Sequence, residues 1–131
     1  MARYFTREEA EALLPKISVV LRTIQEGRQH LRGLSQELEA LHMRAMGNGH
    51  HLHGRIKKLQ EDIETLGQVL GNAVDELDNF GCELKDPDLG LIDFLSLRNG
   101  REIYLCWLLG EDRIDYWHDL HTGFAGRQPL E

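Results

Sequence analysis

Between Leu52 and Phe80 the apolar residues advance in steps of four and three without a fault. They are Leu52, Ile56, Leu59, Ile63, Leu66, Leu70, Ala73, Leu77 and Phe80. Such spacing keeps one stripe of an α-helix apolar at the 3.5-residue period of coiled-coil packing, and a strand, with its period of two, has no use for it. A second run precedes it. Ile17, Ile24, Leu31, Leu38 and Ala45 form one seam and Val20, Leu34 and Leu41 the other, with Gly27 the one empty slot. The intervening Gly47-Asn48-Gly49-His50-His51-Leu52-His53-Gly54 stops a helix and permits reversal. Two antiparallel helices follow.

Their length adds a constraint. Residues 52 to 80 as one helix reach roughly 43 Å, whereas a compact globule of this mass is about 30–35 Å across. The hairpin must project beyond the rest of the fold or pack against a second copy. A four-helix arrangement in a homodimer is the economical solution, because a lone hairpin buries only one stripe. Gly67 and Gly71 lie outside the seam. A helix-interior glycine costs about 1 kcal/mol relative to alanine, so another backbone, from the C-terminal part or a second subunit, is expected to approach there.

The ends of the helical part carry their own signals. Thr6 followed by Glu9 is a capping box, and Glu8, Glu9 and Glu11 suit a first turn. Pro15 costs about 3 kcal/mol inside a helix, which predicts a short N-terminal helix to about Leu14 and then a kink or restart. After Gly81 the period falls to about two, over Cys82–Lys85, Leu91–Leu95, Glu102–Leu109 and Arg113–His118. Turn chemistry separates these runs, and Asn99-Gly100 is the sharpest hairpin signal. The expected fold is α+β: a long antiparallel helical hairpin with a short N-terminal helix, then a three- to four-stranded antiparallel meander. Residues 1–131 form a single domain, with 6–80 helical and 81–131 the meander and C-terminal tail.

Composition narrows the partners. With 22 acidic against 15 basic residues the formal charge is −7, which opposes a phosphate backbone or an anionic membrane surface. No run approaches the apolar length of a membrane span, and the N-terminus has no signal-peptide pattern. Cys82 and Cys106, in a chain without an export signal, are expected to be free thiols in the cytoplasm.

Several separated motifs resemble the prokaryotic family catalogued as domain of unknown function 2203. They are Phe5-Thr6-x-Glu8-Glu9-Ala10-x-x-Leu13-Leu14-Pro15, Gly81-Cys82-x-x-Lys85-Asp86 and Gly90-Leu91-Ile92-Asp93-Phe94, then Cys106-Trp107-x-x-Gly110-Glu111, and Trp117-His118 with Gly123-Phe124-x-Gly126-Arg127. The resemblance implies one cytoplasmic domain of about this size. It brings no catalytic residue with it.

The last quarter of the chain holds the residue types with distinctive chemistry. A three-residue loop at Gly110-Glu111-Asp112 would pair positions summing to 222, so that Cys106 opposes Tyr116 and His118 lies diagonally on the same face. A loop of two or four residues would send His118 to the other face. Cys106, His118 and His121, with Cys82 or Asp119, could supply the nitrogen and sulfur ligands that zinc prefers. The alternative is a buried thiol beside an imidazole bonded to backbone. Arg127, between glycine-rich neighbours, could hold a small anion with Glu111 and Trp117 beside it, or pair with an internal acid such as Glu111 or Asp93. Asp93, Glu111, Asp115 and Asp119 could include an acid–base pair, or simply be the solvent face of the meander. Trp107, Trp117, Phe94 and Phe124 are expected in the core. His42, His50, His51 and His53 make a histidine-rich tip that would bind metals weakly.

No phosphate loop, dinucleotide fingerprint or Ser/His/Asp arrangement is present. The leading expectation is therefore a non-catalytic, self-associating cytoplasmic module, a dimer that uses no cofactor. The alternative is a metal- or small-anion-binding protein, with zinc the candidate ion, built around Cys106, His118, His121 and Arg127.

Overall fold

In the computed structural model, which describes residues 3–48 and 50–130, two helices are followed by a five-stranded antiparallel sheet. Gly49, within the expected reversal, lies outside the described residues. Helix α1 spans Arg7–Asn48 and α2 spans His53–Phe80, with a 3-10 turn at His50–Leu52 between them. The capping box forms as its spacing predicts. The Glu9 amide donates to Thr6 Oγ1 at 3.0 Å, and the Thr6 amide donates to Glu9 Oε1 at 2.8 Å.

Pro15 does not separate a short N-terminal helix, contrary to expectation: α1 runs through it unbroken. The proline is exposed, while Leu14 and Ile17 beside it are buried against the core. Its lost backbone bond thus falls on the water side, where solvent can satisfy the freed carbonyl, and packing on the inner side holds both halves together.

The meander has five strands rather than three or four: β1 Glu83–Asp86, β2 Leu91–Arg98, β3 Arg101–Leu108, β4 Tyr116–Asp119 and the two-residue β5 Gln128–Pro129. They lie in chain order across the sheet. Asn99 and Gly100 both have positive φ, 53° and 78°, as a two-residue I′ turn requires. That turn pairs Arg98 with Arg101 and carries the register to Asp93 opposite Cys106. The connection from β3 to β4 is longer than three residues. Its register is nonetheless the one expected, with Cys106 opposite Tyr116 and Tyr104 opposite His118.

One face of the sheet packs on the base of the hairpin. Ile92, Phe94, Ile103, Leu105, Trp107 and Trp117 join Ile17, Leu21, Ile24, Ala73 and Leu77 in one core. The turn between β1 and β2 is clamped to α1 by Asp88, whose carboxylate pairs with Arg28 and Arg32. Beyond Arg32 the hairpin projects. From Gly33 to Asn48, α1 runs about 24 Å further, toward a small second core of Leu41, Ile56 and Leu59 near the tip.

The empty slot in the heptads also finds its reason. A Cβ on Gly27 would lie 2.5 Å from Leu70 Cδ2, so the leucine of α2 occupies the space a side chain on α1 would need. Gly67 and Gly71 differ. Nothing lies within 4 Å of a Cβ built on either, so the meander does not approach them.

The candidate Asp93–Cys106–His118 site

Side chains alternate along a strand, so the neighbours of the core-facing residues point to the sheet's other face. Asp93 lies between Ile92 and Phe94, Cys106 between Leu105 and Trp107, and His118 directly after Trp117. These three therefore share the face turned away from the helices, one on each of β2, β3 and β4. That side of an antiparallel sheet is usually wet. Here the three are 2%, 0% and 2% exposed.

Their polar atoms converge. A ligating atom from each lies within 4.8 Å of the other two, and this is the one such group of three among the described residues. His118 is held at both ring nitrogens. Nδ1 is 2.7 Å from the Asp119 carbonyl and Nε2 is 3.0 Å from Asp93 Oδ2. A carbonyl only accepts, so Nδ1 carries a hydrogen. One further proton must then lie between Nε2 and Oδ2, since two bare lone pairs would repel. The other carboxylate oxygen, Asp93 Oδ1, is buried and has no hydrogen-bond partner.

Electrostatics keep the thiol protonated. Burial first, and then the Asp93 carboxylate beside it, push Cys106 up to about 12. Burial also raises Asp93 above the usual carboxylate range, although His118 and the Cys106 thiol pull the other way. A thiol held this high is a poor nucleophile, and His118, with both nitrogens engaged, offers it no free base.

Around the cluster lies an aromatic and ionic border. The Tyr104 ring centroid is 5.5 Å from that of His118. The Arg127 guanidinium sits 4.0 Å over Tyr116 and 4.8 Å over Phe124. Its Nη2 meets Glu111 Oε1 at 2.7 Å and Oε2 at 2.9 Å, and approaches the Cys106 carbonyl at 3.5 Å. Glu111 is further fixed by the Leu108 amide, and its own carbonyl accepts from Trp107 Nε1. Arg127 thus latches the C-terminal segment onto the β3–β4 connection.

The residues expected in a site are accordingly sorted. Cys106 and His118 come together; His121 is exposed and outside the convergent group. Cys82 lies in the core on the helix side, its thiol 3.6 Å from the Leu77 carbonyl, and Asp119 contributes its backbone. Both cysteines are free. Arg127 and Glu111 engage each other, while Trp117 faces the helices with Trp107. Phe124 is not a core residue as expected but is 43% exposed beneath Arg127, because the tail it belongs to lies outside the hairpin–sheet interface. Of the four acids, Asp115 pairs with Arg7 and Arg113, Asp119 with Arg101, Glu111 with Arg127 and Asp93 with His118.

Asp93 is the member of the cluster that the ligand spacing does not suggest, although the sequence carries a signal for it. It is the one charged residue in Leu91-Ile92-Asp93-Phe94-Leu95. The two-residue turn at Asn99-Gly100 pairs positions summing to 199, which sets 93 against 106.

The features together define a class: an α+β protein with a helical hairpin on a five-stranded antiparallel sheet and a buried Asp–Cys–His cluster on the sheet's far face. The chain belongs to the family described as "Uncharacterized conserved protein (DUF2203)", whose model matches residues 3–130. No curated protein and no solved structure is significantly similar to it.

Proposed function

We propose that the chain is a metal-binding protein that holds one zinc-type ion between His118 Nε2, Cys106 Sγ and a carboxylate oxygen of Asp93. The observation that carries this reading is the convergence of one nitrogen, one sulfur and one oxygen donor at full burial, with Asp93 Oδ1 left unpartnered. A buried polar atom without a partner costs about 1–3 kcal/mol, and a cation beside it removes that cost.

The histidine is set as metal-binding histidines are. Its Nδ1 hydrogen is fixed on a backbone carbonyl, which orients the ring and leaves Nε2 for the ion. Mixed nitrogen, sulfur and oxygen donors suit zinc among the common divalent ions. The ion would replace the thiol proton and the proton shared by Nε2 and Oδ2, drawing β2, β3 and β4 together. Structural zinc takes four donors, and Asp93 Oδ1, which has no other partner, would be the fourth, closing a buried site with a structural and non-catalytic role. Two free, buried thiols support a reducing, cytoplasmic setting.

The test uses tag-free protein, stripped with a chelator and titrated with zinc or cobalt. One ion per chain should bind, unchanged in the His50→Ala/His51→Ala/His53→Ala variant, with a cobalt–thiolate charge-transfer band. Cys106→Ser and Asp93→Asn should each weaken binding by at least about tenfold. Binding that is absent, that disappears with the tip histidines, or that survives Cys106→Ser unchanged overturns the reading.

A further inference from the structure

The face of the hairpin that the sheet covers at its base continues bare toward the tip. Midway along the helices Leu31, Leu34, Leu38, Ile63, Leu66 and Leu70 are only half-buried, because each helix shields a single stripe of the other. Nearer the tip an apolar groove opens between Leu38, Met46 and Ile63, and Met46 is 80% exposed. Flanking this stretch, Gly67 and Gly71 have open space where side chains would stand.

Charge says what covers it. Residues 40–60 contain four Lys and Arg and no acid, whereas residues 61–84 contain seven Asp and Glu and no base. Within the chain Arg55 pairs with Glu37 and Lys58 with Asp62, so Lys57 is the base that the tip end of α2 offers to a partner, set against an acidic stem along the same helix. We propose that a second copy of this chain docks antiparallel on the projecting hairpin, so that the basic tip of each protomer lies against the acidic stem of the other.

Antisymmetric charge of this kind selects the orientation. In an antiparallel pair Lys57 approaches Asp78 of the other copy, with Asp75 beside it, on the flank of α2 that carries Gly67 and Gly71, and the two-fold axis crosses α2 near Gly67. A parallel pair would set base on base and acid on acid. Close approach at the axis needs small residues, and Gly67 and Gly71 supply it. The two half-open seams then close into a four-helix bundle with an isologous interface. A nucleic acid on the basic tip would leave the half-buried leucines uncovered, and so fits less well.

Three exposed positions provide a test that leaves the core untouched: Lys57, Asp75 and Asp78. Sedimentation should show the wild-type chain as a dimer. Lys57→Glu alone makes tip and stem both acidic on this flank, and Asp75→Lys/Asp78→Lys alone makes both basic. Each variant should dimerise at least about tenfold more weakly. Mixing the two should restore a dimer containing one chain of each kind. The weakening of each variant alone is what antiparallel docking requires, because a parallel pair already sets like charge on like and neither substitution would weaken it. A monomer at all micromolar concentrations overturns the proposal. So does a dimer indifferent to both variants, or a mixture that fails to associate.

Discussion

His118 Nε2 lies 3.0 Å from Asp93 Oδ2 at a depth where neither side chain reaches water. The two residues are on β4 and β2, so the contact spans β3 and passes beside Cys106. A hydrogen bond across three strands at this depth ties the middle of the sheet together on the face that the helices do not support.

Asp93 makes stability depend on pH in a definite direction. Burial raises its carboxyl above the value it has in the unfolded chain, so folding favours the protonated form. The stabilisation is complete below about pH 3.9, the ordinary carboxylate value. It is lost as pH rises through the raised value, with a slope of at most about 1.4 kcal/mol per pH unit. Glu9 and Asp88, which are lowered, act oppositely, so the comparison must be with Asp93→Asn. In chelator, denaturant titrations should show wild-type stability falling relative to Asp93→Asn as pH rises from about 4. A pH-independent difference would contradict the assigned burial effect.

Ion binding should release two protons per zinc, one from Cys106 and one from the His118–Asp93 contact. Affinity then rises about a hundredfold per pH unit below the range in which either group ionises unaided. Calorimetry in buffers of different ionisation enthalpy counts the protons directly. A count of one would show that one of these two groups does not ligate, and a count of zero that neither does.

Removing Arg127 should loosen the C-terminal segment. Arg127→Ala breaks both bonds to Glu111 and strips the cation from Tyr116, at a cost of about 2–4 kcal/mol. The equilibrium unfolding midpoint should fall, and amide exchange over residues 120–130 should accelerate more than that of α1. Arg127→Lys keeps the charge but not the planar guanidinium that stacks on Tyr116 and Phe124, and should recover less than half of the loss. Equal exchange rates in wild type and Arg127→Ala would remove the latch from consideration.

Glycines in α1 should respond in opposite ways. Gly27→Leu overfills the space held by Leu70 and should cost about 1–3 kcal/mol. Gly33 meets nothing within 4 Å, so Gly33→Ala should stabilise by up to about 1 kcal/mol. Thermal melts of both variants against wild type decide the point, and a shift in the same direction for both would show that Leu70 does not fill the Gly27 slot.

Much of the fold is legible in the residues. The heptads locate both helices, the Asn99-Gly100 turn sets the central hairpin, and Thr6 and Glu9 mark where α1 begins. Pro15 misleads because its cost depends on which side of the helix it faces, and that depends on the core. Phe124 misleads because hydrophobicity alone cannot tell a core from an aromatic seat under a cation. Cys106 and His118 are readable as partners once the β3–β4 register is known. Asp93 requires the register of β2 as well, and an acid in an apolar strand reads as solvent-facing until its depth is seen.

The two ends of this architecture tolerate change very differently. Whole heptads added to both helices would lengthen the hairpin while leaving every strand neighbour intact. One residue inserted within β2, between Phe94 and Arg98, would shift the start of β2 against β3 and turn Asp93 toward the helices, away from Cys106. Descendants of such a chain are therefore free to vary in reach, and bound to the spacing between Asp93 and the Asn99-Gly100 turn if they are to retain the cluster.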